Sequence, residues 1–384
     1  MEEKIKTLLT RGVEEVIVRK SLEERLRSNK SLTVKLGIDP TGAELHLGHA
    51  VVLRKLREFQ NLGHQVVLVI GDFTAKIGDP SGRTEERKHL TDKQIKENMK
   101  SYREQAGKIL DLEKTKFVYN SEWLKNLGLE GLLELASKVT LAQLMERKEF
   151  RERVKSDVDV PYLEMFYPMM QGYDSVALKA DVELGGRDQK FNLLMGRQIQ
   201  KRYGQKEQDI VIMKLLPGTD GAKMSKSAEN YISLTTSPHD MYGKIMSISD
   251  ELMPIYYELC TYIEPTSANN FSNKKMLAYE IVKTYHGEKL AQEAEENFRR
   301  VFQEGKYEES RLIEKVLPRG EYKPVELAIA SGATTSTVQA KELFRQGAVE
   351  INGKVISIKE WSEPIVIEPG TTIKIGKRRI IKAE

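Results

Sequence analysis

The feature that most constrains this chain is a strand, a turn, a helix and a second strand packed into about 40 residues, little more than the ~30 that a βαβ unit requires. Leu32-Thr33-Val34-Lys35-Leu36-Gly37-Ile38 reads as a strand and Asp39-Pro40-Thr41-Gly42 as a breaker-rich turn. A helix is expected from about His46 to Leu62, and a second strand from Gln65 to Ile70. Parallel strands need such crossovers, so the unit points to a nucleotide-binding type of sheet. Helical and short apolar segments go on alternating as far as Ile210-Val211-Ile212. The expected fold class is α/β, a doubly wound parallel (Rossmann-type) sheet, followed by a helical domain and a small α+β module.

Around that core the pattern changes. Residues 3 to 28 mix apolar and charged positions at helical spacing and predict one or two amphipathic helices. From about Ser237 to Arg311 the texture is mainly helical, and Pro318, Gly320 and Pro324 punctuate a linker. The expected domains are therefore 1–236, 237–315 and 326–384, with 316–325 as the linker. In the last of these, Ser336 and Gln339 are spaced as a capping box, with a helix to about Gln346 and Gly347 at its end. Val349-Glu350-Ile351, Asn352-Gly353 and Lys354-Val355-Ile356 read as a hairpin with a two-residue turn.

Composition removes several classes. Of 384 residues, 40% are hydrophobic and 31% charged, a globular balance. Cys260 is the single cysteine, which excludes intrachain disulfides and a multi-cysteine zinc site. Apolar runs such as Val66 to Ile70 fall far short of the ~20 residues that cross a bilayer, so no membrane partner is expected. Met1-Glu2-Glu3-Lys4 lacks the pattern of an export signal, and a cytoplasmic address is the simplest expectation. The net charge is only +4, so any nucleic-acid surface must come from local clustering.

Two short motifs carry the chemistry. His46-Leu47-Gly48-His49 stands where a helix begins after a strand and a turn, and there the free amides and the helix dipole favour a polyphosphate. Two imidazoles three residues apart share one helical face, and Gly48 lets a flat group such as a base approach the backbone. A solvated pair is one alternative. A metal pair is another, although Leu47-Gly48 supplies no glutamate of the H-E-x-x-H kind. The second motif is Lys223-Met224-Ser225-Lys226-Ser227, in the loop Gly218 to Ser227. Its two ammonium groups could close over a triphosphate and neutralise departing pyrophosphate, or simply be solvated.

In this order, at the two ends of an alternating α/β region, the motifs resemble the two signatures of the class I aminoacyl-tRNA synthetases. Lys35 to Thr41, Gly78 to Arg83, Tyr167 to Asp174 and Gly185-Gly186-Arg187-Asp188-Gln189 are similar to that family's tyrosine-specific bacterial branch. The resemblance implies L-tyrosine, ATP and tRNA(Tyr) as partners, with tyrosyl-adenylate formed first and tyrosine then passed to the tRNA 3′ end. It also implies a homodimer. Magnesium is expected to arrive with ATP, and no protein-bound zinc is expected. On the same resemblance Thr41 and His46 hold the γ-phosphate, His49 and Gly48 line the nucleotide site, and Lys223 and Lys226 meet pyrophosphate. Arg83 and Arg87 match further basic contacts, Arg87 having an ion pair with Glu85 or Glu86 as its alternative role. Gly186 and Asp188 match the ribose side, and Gln189 the substrate carboxylate.

The reaction itself asks for little covalent chemistry. A carboxylate ionised at pH 7 attacks phosphorus without a general base, so positioning and charge stabilisation suffice. Amino-acid choice is expected on a helix, because Tyr167, Gln171 and Asp174 are spaced i, i+4, i+7. Such a stripe is often a wet surface, but Phe166, Met169, Met170 and Tyr173 surround it. The resemblance implies Asp174 for the phenol hydroxyl, Tyr167, Gln171 and Asp79 for the substrate ammonium, and Asn120 in support of the hydroxyl site.

The sequence departs from the better-known branch in two places, with Lys35 where a tyrosine helps bind the phenol and Leu36 where a cysteine lies near the ribose. Lys35 is left without a role. At the C-terminus, Lys341, Arg345, Lys377, Arg378 and Arg379 could form a phosphate-tracking face or merely a soluble tail. That part resembles an RNA-binding module shared with ribosomal proteins and pseudouridine synthases. Rival readings are a tryptophan-specific synthetase, a small-molecule nucleotidyltransferase and an RNA-binding protein on an inactive synthetase scaffold.

Overall fold

The computed structural model describes residues 2–28, 30–81, 90–224, 230–303, 313–334, 336–356, 364–376 and 379–383. It divides into two compact units. One comprises Met1–Gly218, Ala222–Thr235 and Pro254–Glu264, and the other Thr219–Gly221, Thr236–Met253 and Pro265–Glu384.

The first unit is built on six strands: β1 (Val13–Ile17), β2 (Thr33–Ile38), β3 (Gln65–Ile70), β4 (Thr115–Tyr119), β5 (Val182–Gly186) and β6 (Asp209–Met213). Their spatial order is β1-β6-β5-β2-β3-β4. From β2 the chain steps outward to β3 and β4, then returns across the sheet to β5 on the other side of β2. All these neighbours are parallel except β1, which runs antiparallel to β6. The order reverses beside β2, and in open α/β sheets ligands bind in the crevice outside the strand ends at such a point. Strands β3, β5 and β6 are buried on both faces, as continuous runs like Val66 to Ile70 and Ile210 to Met213 require, while the edge strand β4 leaves Lys116 and Tyr119 exposed.

The N-terminal stretch differs from the helical expectation. Helices Glu2–Leu8 and Arg19–Arg27 are present, but β1 lies between them. Helical and strand patterns are hard to tell apart over five residues. This strand is fixed by partners far away in sequence, since Glu14 pairs with Arg187 at 3.0 Å and Glu15 with Lys190 at 2.5 Å.

In the second unit, helices Pro238–Met246, Asn270–His286 and Glu288–Phe298 pack together, with Tyr242 and Phe298 in ring contact at 5.4 Å. The C-terminal part contains β7 (Ile313–Leu317), β8 (Gly320–Tyr322), β9 (Val349–Ile351), β10 (Lys354–Val355), β11 (Ile365–Ile367), β12 (Thr372–Ile375) and β13 (Arg379–Ala383). They form a sheet β10-β9-β12-β13-β7 and a separate pair β11-β8. Helices Pro324–Ala330 and Thr337–Arg345 close a core of Leu327, Phe344, Val349, Ile373 and Ile381. Ser336 accepts from the Gln339 amide at the start of the second helix, and Gly347 beyond its end has φ +63°. Gln339 turns its own side chain to Thr334, so the reciprocal half of the capping box is not made. The β9–β10 turn has positive φ at both Asn352 and Gly353, as a type I′ turn demands.

The stretch 316–325 is not a free linker. It carries the end of β7, all of β8 and the start of the Pro324–Ala330 helix. Pro318 and Gly320 punctuate the chain, but as the bend between two strands whose partners, β13 and β11, lie far downstream.

Candidate functional site

The two motifs meet at the carboxyl edge of the sheet. His46 is the N-cap of the Leu47–Asn61 helix, its backbone extended, and its Nδ1 accepts from the Gly48 amide at 3.1 Å. His49 Nδ1 accepts from the His46 amide at 3.2 Å, so the imidazoles themselves form a capping box. With Nδ1 an acceptor in both rings, Nε2 is the donor nitrogen of each imidazole when neutral. The rings lie 3.9 Å apart. Thr41 is exposed on the connection that leads from β2 to this helix.

Backbone pairing brings the second motif here. Leu47 N–H donates to the Ile232 carbonyl and Leu234 N–H to that of Leu45, both at 2.9 Å, so the strand-like exit of the lysine loop is tied to the helix start. A Cβ on Gly48 would sit 3.3 Å from Met224 Sδ and 3.0 Å from the His46 ring. A side chain here would press on both, so glycine eases the approach of motif and loop. At the base of the loop, Gly218 N–H donates to the Ala222 carbonyl at 2.7 Å and Asn230 Nδ2 to that of Lys223 at 3.1 Å. A Cβ on Gly218 would strike Asn230 at 2.5 Å, which explains the glycine. The Lys223 ammonium pairs with Asp188 at 3.1 Å, and Asp188 follows Gly186 just past the end of β5.

The expected tyrosine-binding residues converge on the Tyr162–Leu178 helix and the strand ends beside it. Asp174 is 4% exposed. Its carboxylate accepts from Trp123 Nε1 at 2.8 Å and from Asn120 Nδ2 at 3.4 Å. Burial pushes the Asp174 carboxyl up to about 7, against the pull of Lys35 and of the Trp123 and Asn120 donors, with Glu183 adding to the rise. Asn120 is itself fixed, accepting from the Phe73 amide at 3.0 Å and donating to Thr74 Oγ1 at 3.0 Å. Tyr167 donates its hydroxyl to Asp39 Oδ2 at 3.0 Å, and Thr74 donates to Asp39 Oδ1 at 2.8 Å. Among the described residues, Gln171 Oε1 is buried with no hydrogen-bond partner.

Asp79 belongs to a polar rack. It accepts from Gln189 Nε2 at 2.7 Å and from the Ser81 hydroxyl at 2.7 Å. Beneath it the Arg147 guanidinium, 1% exposed, donates to Asn192 and to Ser81 at 2.6 Å each and stands 3.5 Å from Asp79. Phe150 and Phe191 flank that guanidinium at 5.5 and 5.2 Å. Its Nε also stands 3.4 Å from Glu149, and the aromatic faces, Asn192, Ser81 and the two carboxylates together make burial of the charge tolerable.

The structure thus draws together His46, Gly48 and His49, draws Lys223 to Asp188, and groups Asp174 with Asn120 and Asp79 with Gln189. Arg83, Arg87 and Lys226 lie outside the described residues, as do Lys377 and Arg378. Lys341 and Arg345 are exposed on the Thr337–Arg345 helix, Arg345 lying 3.5 Å from Glu342, and Arg379 opens β13. The sequence reading missed Asp39, Trp123, Arg147 and Asn192. Asp39 was within reach of sequence logic, since it directly follows the first parallel strand, at the edge where such sheets bind ligands. The other three carry no local signal.

Comparison with known proteins agrees with this geometry. Residues 27–303 match the family model described as tRNA synthetases class I (W and Y). A tyrosine-tRNA ligase of Carboxydothermus hydrogenoformans is 45% identical over 98% of this chain and 96% of its own length. One from Thermotoga maritima is 45% identical over 99% and 97%. Among solved structures, a truncated mitochondrial tyrosyl-tRNA synthetase of Aspergillus nidulans aligns with TM-score 0.66 at 22% identity, over 78% of this chain and 94% of that one. A tyrosyl-tRNA synthetase of Archaeoglobus fulgidus, complexed with L-tyrosine, aligns with TM-score 0.62 at 22% identity, over 77% and 99%. At that identity the structural likeness speaks for the fold, while the family match and the near-full-length relatives establish kinship: the chain belongs to the class I tRNA synthetases of the tryptophan and tyrosine family.

Proposed function

We propose that this chain joins L-tyrosine to tRNA(Tyr), forming tyrosyl-adenylate and pyrophosphate from tyrosine and ATP and then passing tyrosine to the 3′-terminal adenosine. The observation that carries the choice of amino acid is the buried Asp174 carboxylate held by Trp123 and Asn120. An ionised carboxylate accepts a hydrogen bond from a phenol, which phenylalanine lacks; an indole N–H can donate as well, as that of Trp123 does, so the choice against tryptophan is supported by the tyrosine-tRNA ligase relatives. Gln171 Oε1, buried without a hydrogen-bond partner among the described residues, supports a role for this helix in receiving the substrate ammonium, with Tyr167 one turn earlier on it and Asp79 assigned to the same group.

The phosphate end fits a nucleotide triphosphate. Helix amides, two Nε2 donors and the Lys223 ammonium are positive or donating groups, and Gly48 leaves room beside them. In this reading His46 and Thr41 hold the γ-phosphate, and His49 and Gly48 line the nucleotide. Gly186 and Asp188 meet the ribose, Gln189 the substrate carboxylate, and Lys223, Lys226, Arg83 and Arg87 the pyrophosphate. Magnesium enters with ATP and neutralises phosphate charge. Catalysis consists of holding carboxylate and α-phosphate in line while fixed charges stabilise the leaving group.

Residues 237–315 would face the tRNA and 326–384 would bind it, using Lys341, Arg345 and the basic run 377–379. The exposed Leu129, Leu133, Leu141, Tyr162 and Leu163 favour a second copy of the chain as partner, hence a homodimer. A cytoplasmic location follows from the substrates. Among the described residues no helix is long and apolar enough to cross a membrane. ATP-pyrophosphate exchange run in parallel with tyrosine, tryptophan and phenylalanine tests the proposal. Exchange with tyrosine alone is expected, and exchange with tryptophan instead would overturn it.

A further inference from the structure

The buried pair Lys35–Glu183 has no part in the roles assigned above, yet it adjoins the phenol site. The two residues face each other in register across β2 and β5, each 1% exposed, with ammonium and carboxylate 3.0 Å apart. Lys35 Nζ also donates to the Gln171 carbonyl at 3.4 Å, one turn before Asp174 on the same helix. Glu183 accepts from Gln208 Nε2 and from the hydroxyl of Ser175, the residue that follows Asp174.

A buried ion pair is weak evidence of stabilisation, because desolvation offsets most of the attraction. Its opposed charges nevertheless act strongly on a neighbouring carboxyl in a low-dielectric interior. We infer that Lys35 and Glu183 are positioning residues for amino-acid choice: together they set the ionisation state in which Asp174 meets the substrate phenol. The inference rests on the reading of Asp174 as the phenol acceptor. Lys35 favours the charged carboxylate and Glu183 opposes it, while burial raises Asp174 and the Trp123 and Asn120 donors lower it.

Several charges on the other elements packed against this helix have partners of their own. Glu134 on the Gly128–Ser137 helix pairs with Lys138 at 3.5 Å. Arg197 on the Lys190–Arg202 helix pairs with Glu207 at 2.6 Å, and Lys76 on the Thr74–Lys76 turn pairs with Asp92 at 2.5 Å. Asp39, next to that turn, is held by Thr74 and Tyr167. Lys35 and Glu183 are thus the pair whose charges bear on Asp174 from within the sheet.

The test is the pH dependence of the tyrosine dissociation constant of the full-length chain, by equilibrium dialysis from about pH 5.5 to about 8.5. The phenol donates to the ionised carboxylate, so affinity is lost as pH falls through the Asp174 midpoint. Lys35→Met should move that midpoint up and Glu183→Gln should move it down, each by about one unit, a tenfold change in the ionised fraction on the acid side. Phenylalanine binding should keep its pH profile in both variants. A packing role would weaken binding in both without shifting the midpoint in opposite directions, and midpoints that stay put or move together overturn the inference. Should Lys35→Met fail to fold, the direction of the Glu183→Gln shift decides alone. Asp174→Leu, which removes the acceptor that an asparagine amide oxygen would keep, separates the two readings. If it leaves tyrosine preferred over phenylalanine, the phenol assignment falls; if it abolishes the preference while the midpoints ignore Lys35 and Glu183, only this inference falls.

Discussion

The Lys223 ammonium lies 3.1 Å from Asp188 Oδ2, joining the lysine loop to a residue two positions past the end of β5. The contact spans 35 positions of sequence. Lys223 is 57% exposed, so the pair contributes little to stability; under the proposed function it would hold the ammonium toward the nucleotide. Lys223→Ala should therefore lower adenylate formation by ~100-fold or more, as for other donors that act on transition-state charge. Pre-steady-state adenylate formation with a parallel tyrosine-binding measurement checks this; the expected outcome is a slower step with tyrosine affinity unchanged. Lys226→Ala should behave in the same way.

Trp123 donates to Asp174 from a different element, so its loss should be felt at the substrate. Trp123→Phe removes a hydrogen bond to a charged acceptor, worth about 1.5–3 kcal/mol. The KM for tyrosine in ATP-pyrophosphate exchange should rise by roughly 10- to 100-fold, while phenylalanine still supports no exchange.

Asp174 also predicts a pH dependence of stability. Its carboxyl is raised to about 7 in the folded chain, against about 3.9 when unfolded. Between those values the native state binds more protons, so stability falls as pH rises from about 4 to about 7. Asp174→Asn removes this slope. Urea midpoints of the two proteins without tyrosine should diverge across that window, the variant gaining on the parent as pH increases.

Arg147 holds Asn192, Ser81 and Asp79 from below while itself buried. Arg147→Met leaves those groups without their cation and should cost about 3–5 kcal/mol, as the breaking of buried ion pairs does. Equilibrium denaturation measures the loss. In material that remains folded, tyrosine KM should rise as well, because Gln189 and Asp79 share the rack.

The pairing of β7 with β13 and of β8 with β11 decides where the C-terminal part can be cut. Removing 326–384 alone would leave β7 and β8 without partners. Removing 313–384 should spare tyrosine-dependent pyrophosphate exchange and lower tRNA charging. Equal loss of both activities would show that this part is needed for folding.

Much of the frame was legible in local pattern. β2, β3 and β6 are apolar runs bounded by breakers, and the Leu47–Asn61 helix starts at a histidine that caps it. The hairpin Val349 to Val355 was legible because Asn352-Gly353 accepts positive φ at both positions. β1 and β7 were not, since short edge strands owe their conformation to partners more than 60 positions away.

For the site, the sequence by itself determined which chemical groups are present and where helix starts and strand ends would display them. Asp174 could be singled out because spacing puts it on the same helical face as Tyr167 and Gln171. Only the tertiary structure decided what those groups become. Asn120 and Trp123 on one short helix, Lys35 on β2 and Glu183 on β5 act on Asp174 from three separate segments, and Arg147 reaches Ser81, beside Asp79, across 66 positions. Ionisation depends on burial and on charges a few ångströms away, quantities that local periodicity does not encode because the chain must close on itself before they exist.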